Sequence, residues 1–387
     1  MLTKNINLKN FKQKKTNKKI LNSLKKIVKE KNSIIQSFEN SYTDSFIKKN
    51  ISKLKKFSNI IIIGMGGSIL GAKTIYQFLK HKIKKNFLFI DNLDSKESQL
   101  SNKKKCLYLI VSKSGNTLET ISNANVFLSK KQKSVFITEN KKNYLTTLSK
   151  KLKSDIIHHN NYIGGRYSVL SEVGMLPAEL MGLSAKKFRK FNQLIKSQKF
   201  VNSLVLNVSN TLDLIKQKKF NSIILNYDEQ SENLFDWYQQ LIAESLGKKG
   251  KGILPIISRM PKDNHSLMQL YLDGPKSNFY TFFFVQDGIS KKINNNKLLN
   301  AYYFLRNKSL SDIKLSQFKA TQKVFLSKKI PFRCFDIKKR NEDTLGELFT
   351  FFMLETILLG KALDINPYDQ PAVELIKTET RKFLIKS

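Results

Sequence analysis

At 387 residues with 41% hydrophobic content, the chain exceeds a single small core and allows two units of about 150 to 200 residues each. The formal net charge is +39, yet seven of the 69 basic residues are arginine and 62 are lysine, accompanied by abundant asparagine and isoleucine that share adenine- and thymine-rich codons. Lysines spread over nearly every polar stretch, with the base-reading arginine fork scarce, argue for genome composition over a nucleic-acid footprint and leave a general field attractive to anionic metabolites.

Residues 1–50 read as a lysine-rich helical arm, with Ile20, Leu21, Leu24, Ile27 and Val28 in helical spacing. Its opening, "MLTKNINLKNFKQKKTNKK", lacks the apolar core of a secretory signal, and no run reaches the roughly 18 apolar residues of a membrane span. A cytoplasmic protein without membrane or nucleic-acid partners is therefore expected. Cys106 and Cys334 lie in apolar, strand-like stretches and read as reduced, buried thiols.

From "NIIIIGMGGSILGAKTIYQFL" onward, strands are predicted near 59–63, 87–91, 106–111, 134–137 and 155–158, with amphipathic helices between them. That alternation implies a parallel sheet covered on both faces. A helical region from about 174 to 217 follows, and then "FNSIILNYD", "GILPIIS", "NFYTFFFV" and "PFRCFDI" repeat the pattern. The expected fold is α/β: two domains, 51–200 and 201–362, each a mainly parallel sheet flanked by helices, with helical segments at 1–50 and 363–387. Ligands of such sheets sit beyond the carboxyl ends of the strands, so the loops there carry the chemistry.

The first such loop, "IIIIGMGGSILG", sets Gly64, Gly66, Gly67 and Ser68 between a strand and a helix. Glycines let backbone approach a ligand, and the helix start favours an anion. Ile69 stands where the third glycine of a dinucleotide fingerprint belongs, so the loop alone leaves sugar phosphate, nucleotide and a structural turn all open. In "LYLIVSKSGNTLETISNA", Ser112, Ser114 and Thr117 supply three hydroxyls at a strand end. A helix cap uses one hydroxyl, so three favour a phosphate, with Lys113 either adding charge or pointing to solvent.

"NYIGGRYSVLSEVGMLPAEL" holds Arg166 behind Gly164 and Gly165, suited either to a developing oxyanion or to a structural salt bridge. In "ENLFDWYQQLIAESLGKKGKGILP", Glu244 ends a helix just before a loop of glycines and lysines, and read locally it is a solvent-facing helix end. His265, in "MPKDNHSLMQLYLDGP", sits at a loop-to-helix junction where capping is the commoner role. Gln370 lies in a loop, and Lys377, on a short final helix, reads alone as part of a solvated face. No metal-ligand spacing, nucleophile elbow or Walker loop is present.

Taken in order, "GMGGSILG", "SKSGNTLET", "GGRYSVLSEVG", "AESLGKKGKGILP", "NHSLMQLYLDG" and "QPAVELIK" resemble the glucose-6-phosphate isomerase family, built from two sugar-isomerase α/β domains; together they span residues 64–377. The resemblance implies reversible conversion of glucose 6-phosphate to fructose 6-phosphate through a cis-enediol, a step of glycolysis and gluconeogenesis, with no metal or organic cofactor. It makes Glu244 the base that carries a proton between C2 and C1. His265 and Lys377 assist ring opening, and Arg166 stabilises the enediolate. Ser68, Ser112, Lys113, Ser114 and Thr117 hold the phosphate; Gln370 lines the sugar site, and Gly67 and Gly165 join the substrate-binding set. The resemblance also implies a homodimer whose histidine reaches into the neighbouring site.

These roles agree with the physical demands of the reaction, since one carboxylate can both remove and return the proton, and charge gathers on the enediol oxygens only after abstraction. Two other readings are a non-catalytic sugar-phosphate sensor and a basic nucleic-acid-binding protein. A sensor needs only the phosphate loop, whereas Glu244, His265, Arg166 and Lys377 all stand here. A nucleic-acid binder needs clustered lysines interleaved with aromatics, against their even spread.

Overall fold

The computed structural model describes residues 2–11, 17–30, 32–93, 106–286 and 290–386. Residues 1, 12–16 and 31 of the expected N-terminal arm lie outside the described residues. Among the described residues, ten strands form two five-stranded sheets. The first contains β2 (Asn59–Gly64), β3 (Asn86–Ile90), β4 (Cys106–Val111), β5 (Lys133–Glu139) and β6 (Asp155–His159), all parallel, in the order β3-β2-β4-β5-β6. Two of the interior strands, "NIIIIG" and "CLYLIV", are almost wholly buried, as continuous apolar runs must be when helices cover both faces.

In the second sheet, β7 (Asn221–Asn226), β8 (Leu254–Arg259), β9 (Asn278–Val285) and β10 (Phe332–Ile337) run parallel, and β1 (Ile6–Lys9) pairs antiparallel with β10 at the edge, giving the order β1-β10-β9-β7-β8. Here the structure departs from a purely helical arm. "INLK" is four residues long and ends in lysine, too short for a readable period, and it is the pairing of Leu8 with Phe335 and of Ile6 with Ile337 that makes it a strand. The predicted helical region 174–217 resolves into four helices, Glu172–Leu180, Ala185–Phe188, Phe191–Lys196 and Gln198–Lys216.

Strand order locates the ligand crevices. From β2 the chain passes to β3 on one side and then crosses to β4 on the other, so the loops after β2 and β4 diverge and leave a crevice between their carboxyl ends. The helix Leu70–Phe78, which leaves the β2 loop, packs against the helix Glu232–Leu246 of the second half. Three hydrogen bonds lock the far end of this pair: Thr74 Oγ1 donates to the Asn233 carbonyl at 2.8 Å, Gln77 Nε2 to the Glu229 carbonyl at 2.9 Å, and the Asn233 amide to Gln77 Oε1 at 3.0 Å. With the start of one helix fixed against the end of the other, the carboxyl end of the glutamate helix is delivered to the β2 loop.

The helix Val373–Lys386 differs from the rest: none of its side chains is buried, and Leu375, Ile376, Phe383, Leu384 and Ile385 are all exposed. No helix among the described residues is long and apolar enough to cross a membrane.

Candidate active site

Three loops and one helix end meet at Arg166. The short 3-10 turn Gly66–Ser68 after β2 lies directly against the 3-10 segment Gly165–Leu170. The fit requires glycine, because a Cβ on Gly67 would sit 2.2 Å from the Gly165 carbonyl carbon and 2.5 Å from the Arg166 amide nitrogen. Ser168 fastens the same contact by donating its hydroxyl to the Gly67 carbonyl at 3.3 Å and the Gly165 carbonyl at 2.7 Å.

Arg166 is buried, and all five of its N–H groups have acceptors. Nε donates to Ser245 Oγ at 2.8 Å, and one terminal nitrogen donates to the Pro367 and Asp369 carbonyls at 2.8 and 2.9 Å. The other faces Glu244 Oε2 at 3.2 Å and also donates to Gln370 Oε1. Tyr167 supports the cluster, its hydroxyl bonded to Ser245 Oγ at 3.0 Å and to the Pro367 carbonyl at 3.1 Å. Burial pushes that phenol up to about 12, so it stays a neutral donor.

Glu244 is therefore no simple solvent-facing helix end. Its Oε2 is on the arginine and its Oε1 accepts from Gln240 Nε2 at 2.8 Å, yet 27% of its side chain remains exposed. Gln240 was not among the sequence candidates. Its signal was the four-residue spacing to Glu244, which puts both on one helix face. The contact with the β2 loop is equally close, since a Cβ on Gly66 would meet Gln240 Nε2 at 2.7 Å, and Gly66 has φ +51°.

The β4 loop closes the other side of the crevice. Ser112 and Thr117 hydroxyls bond each other at 2.9 Å, and Ser112 Oγ accepts the Gly115 amide at 3.2 Å. The alternative of simple capping is not what these hydroxyls do: no side chain caps the helix Leu118–Phe127, and Ser114 Oγ instead accepts the Asn116 amide at 3.3 Å. Lys113 is half-buried; burial pulls its ammonium below the ordinary lysine range, Glu139 opposes this, and Lys141 and then Arg166 add to it. Ser68, in the β2 loop, is likewise half-buried. Hydroxyls, amides and an ammonium at a sheet's switch point, beside an arginine and a carboxylate, can hold an anion and move a proton next to it.

The turn after Glu244 also contributes. Lys248 Nζ bonds Asp369 Oδ1 at 2.7 Å and Lys251 Nζ the Leu363 carbonyl at 2.8 Å, so two lysines that read as loop residues in the sequence tie down the segment 363–369 that feeds Arg166 and Gln370.

Two candidates lie apart. His265 is exposed at the end of the 3-10 turn Lys262–His265, beyond β8. Lys377 is exposed on the final helix and pairs at 2.6 Å with Glu374, one turn earlier. Neither makes a hydrogen bond to the Glu244–Arg166 cluster within this chain. Among the described residues, no group of three or more histidine, cysteine or carboxylate side chains is placed to hold a metal ion.

A family model described as phosphoglucose isomerase matches residues 6–386. The chain belongs to the phosphoglucose isomerase family. It is 34% identical over 360 residues to the glucose-6-phosphate isomerase of Methanocaldococcus jannaschii, covering 86% of each chain. Against the glucose-6-phosphate isomerase of Mycoplasmopsis pulmonis it is 33% identical over 377 residues, covering 87% of this chain and 85% of that one. Two of the solved structures that share the fold illustrate it. One is a hypothetical protein from Thermus thermophilus (TM-score 0.81, 23% identity, 95% and 94% of the two chains), the other a glucose-6-phosphate isomerase from Chlamydia trachomatis (TM-score 0.70, 19% identity, 91% and 77%). The family's reaction, aldose–ketose isomerisation of glucose 6-phosphate and fructose 6-phosphate, is the activity of this chain.

Proposed function

We propose that Glu244 carries the proton between C2 and C1 of the sugar phosphate while Arg166 stabilises the enediolate that forms in between. The observation that supports this most directly is the 3.2 Å contact between Glu244 Oε2 and a guanidinium that is buried, fully hydrogen-bonded and therefore unable to turn away. Only the carboxylate side of this pair is open, so a substrate hydroxyl or oxyanion can enter where Gln370 and Glu244 now share one nitrogen of Arg166. Ser68, Ser112, Lys113, Ser114 and Thr117, with the backbone of Gly67 and Gly165, hold the phosphate at the β2–β4 crevice; this remote contact fixes C1 and C2 against Glu244.

His265 and Lys377 assist ring opening from a second copy of the chain and from a rearranged final helix, respectively. Their exposure supports this, as does the uncovered apolar side of the helix Val373–Lys386. The working unit in this reading is a cytoplasmic homodimer of two-domain subunits, divided near residues 51–200 and 201–362.

Subunit complementation tests the shared site. Glu244→Gln and His265→Leu chains, each inactive alone, are unfolded and refolded together; randomly formed mixed dimers carry one intact site and restore about a quarter of wild-type turnover of fructose 6-phosphate. No restored activity in dimers that demonstrably mix places His265 outside the partner's site.

A further inference from the structure

His159, which ends β6, is 2% exposed and Glu172 is 1% exposed. Their contact is 2.6 Å between Nδ1 and Oε1, while Nε2 of the same ring lies 3.0 Å from the Ile163 carbonyl. Both ring nitrogens thus face oxygens that only accept. A neutral imidazole has one N–H, so either tautomer would turn a lone pair toward an acceptor. Glu172 is the partner that keeps its charge: burial pushes its carboxyl up, but the His159 hydrogen bond and charge, with the Asn160 amide at 2.9 Å, outweigh this and hold it below the usual range.

The surroundings match. Tyr42 donates its hydroxyl to Glu172 Oε2 at 3.1 Å, and Asp44, the other nearby carboxylate, is bound to Arg189 at 2.6 Å. Arg189 also donates from Nε and a terminal nitrogen to the Leu170 carbonyl at 3.1 and 2.9 Å. The segment Gly165–Leu170, which carries Arg166, is consequently pinned at both ends: after it by Arg189 on Leu170, and before it by His159 on Ile163. Between Ile163 and Arg166 lie only Gly164 and Gly165, residues with the widest backbone freedom, so an anchor at Ile163 removes the freedom that would otherwise reach the arginine.

We propose that His159 is a positioning residue, held as an imidazolium between Glu172 and the Ile163 carbonyl so that the Gly164–Gly165 hinge presents Arg166 to Glu244. The inference rests on the reading of Arg166 as the enediolate's partner; neither His159 nor Glu172 is among the residues assigned to substrate, although Glu172 lies within the motif "GGRYSVLSEVG".

The test uses the full chain labelled with 15N-histidine, in which only four histidines occur. Long-range proton–nitrogen spectra at pH 7.5, with His159 assigned by its loss in His159→Gln, are expected to show both His159 nitrogens protonated. A neutral tautomer there overturns the proposal. In kinetics, Glu172→Gln and His159→Gln, confirmed folded by circular dichroism, are expected to lower kcat on the order of 10- to 100-fold with KM for fructose 6-phosphate within about two-fold, the signature of a misplaced transition-state group. Unchanged kcat in a folded variant, or a rise in KM alone, also overturns it. Should Arg166→Lys leave kcat untouched, the Arg166 reading fails by itself, and the spectra still decide how His159 is held.

Discussion

Among the described residues, two arginine–glutamate pairs have a buried arginine, and they differ in the exposure of the carboxylate. Arg333, on β10, bonds Glu355 of the helix Glu342–Ala362, and both side chains are 2% exposed. Thr281, Asn207 and Tyr238 satisfy the remaining polar atoms at 2.9, 2.8 and 3.1 Å, and Asn207 Nδ2 also donates to Glu355. Arg166 is just as buried, but its glutamate is 27% exposed and ends a helix at a crevice. A closed pair with every atom bonded can only hold elements together, here two strands and three helices. A pair closed on the cation and open on the carboxylate keeps its charge oriented and leaves a base accessible.

This contrast can be broken by exchanging the experiment between the pairs. Glu244→Gln is expected to lower kcat by about 10²- to 10⁴-fold while thermal unfolding moves by no more than about 1 kcal/mol, because the side chain is 27% exposed and water at its open side compensates the lost charge. Glu355→Gln or Arg333→Leu should do the opposite: an uncompensated charge in a sealed network costs about 3–5 kcal/mol in denaturant unfolding, with kcat per folded molecule nearly unchanged. Equal stability losses at the two sites would erase the distinction.

Arg166→Lys keeps the charge but loses the planar fork that meets Ser245, Glu244, Gln370 and two carbonyls at once, and should reduce kcat about 10- to 100-fold with little change in KM. Smaller still is the pH effect at Lys113. Because burial, first, and then Lys141 and Arg166 lower its ammonium, the free enzyme loses this positive charge at a lower pH than an ordinary lysine would. The sign follows: kcat/KM for fructose 6-phosphate should fall on the alkaline side earlier than a solvent-exposed lysine allows, and Lys113→Met should remove that limb while lowering kcat/KM at neutral pH.

Much of this was legible beforehand because the relevant signals are local. Buried parallel strands are continuous apolar runs, and strand boundaries fell within a few residues; "CLYLIV" and "NFYTFFFV" coincide with β4 and β9. The glycine and serine loops announce themselves by position, directly after those runs. What stayed hidden depends on long-range pairing. β1 has too few residues to show a period and exists through β10. Gln240 is one amide on a polar helix stripe until the β2 loop packs on it, and Lys248 and Lys251 are two among 62 lysines until segment 363–369 comes within reach of them. His159 and Glu172, thirteen positions apart, form a buried pair only once β6 and the helix Glu172–Leu180 are packed together. His265 and Lys377 show the converse: their motifs are readable, yet the single chain leaves both in solvent.

The central claim, that Glu244 is the proton carrier, is met most directly by turning over fructose 6-phosphate in deuterated water. Wild-type protein should deliver deuterium to C2 of the glucose 6-phosphate formed, and Glu244→Gln should bind the phosphate ester with near-normal affinity yet incorporate almost none. Deuterium incorporation by Glu244→Gln at the wild-type rate would contradict the account.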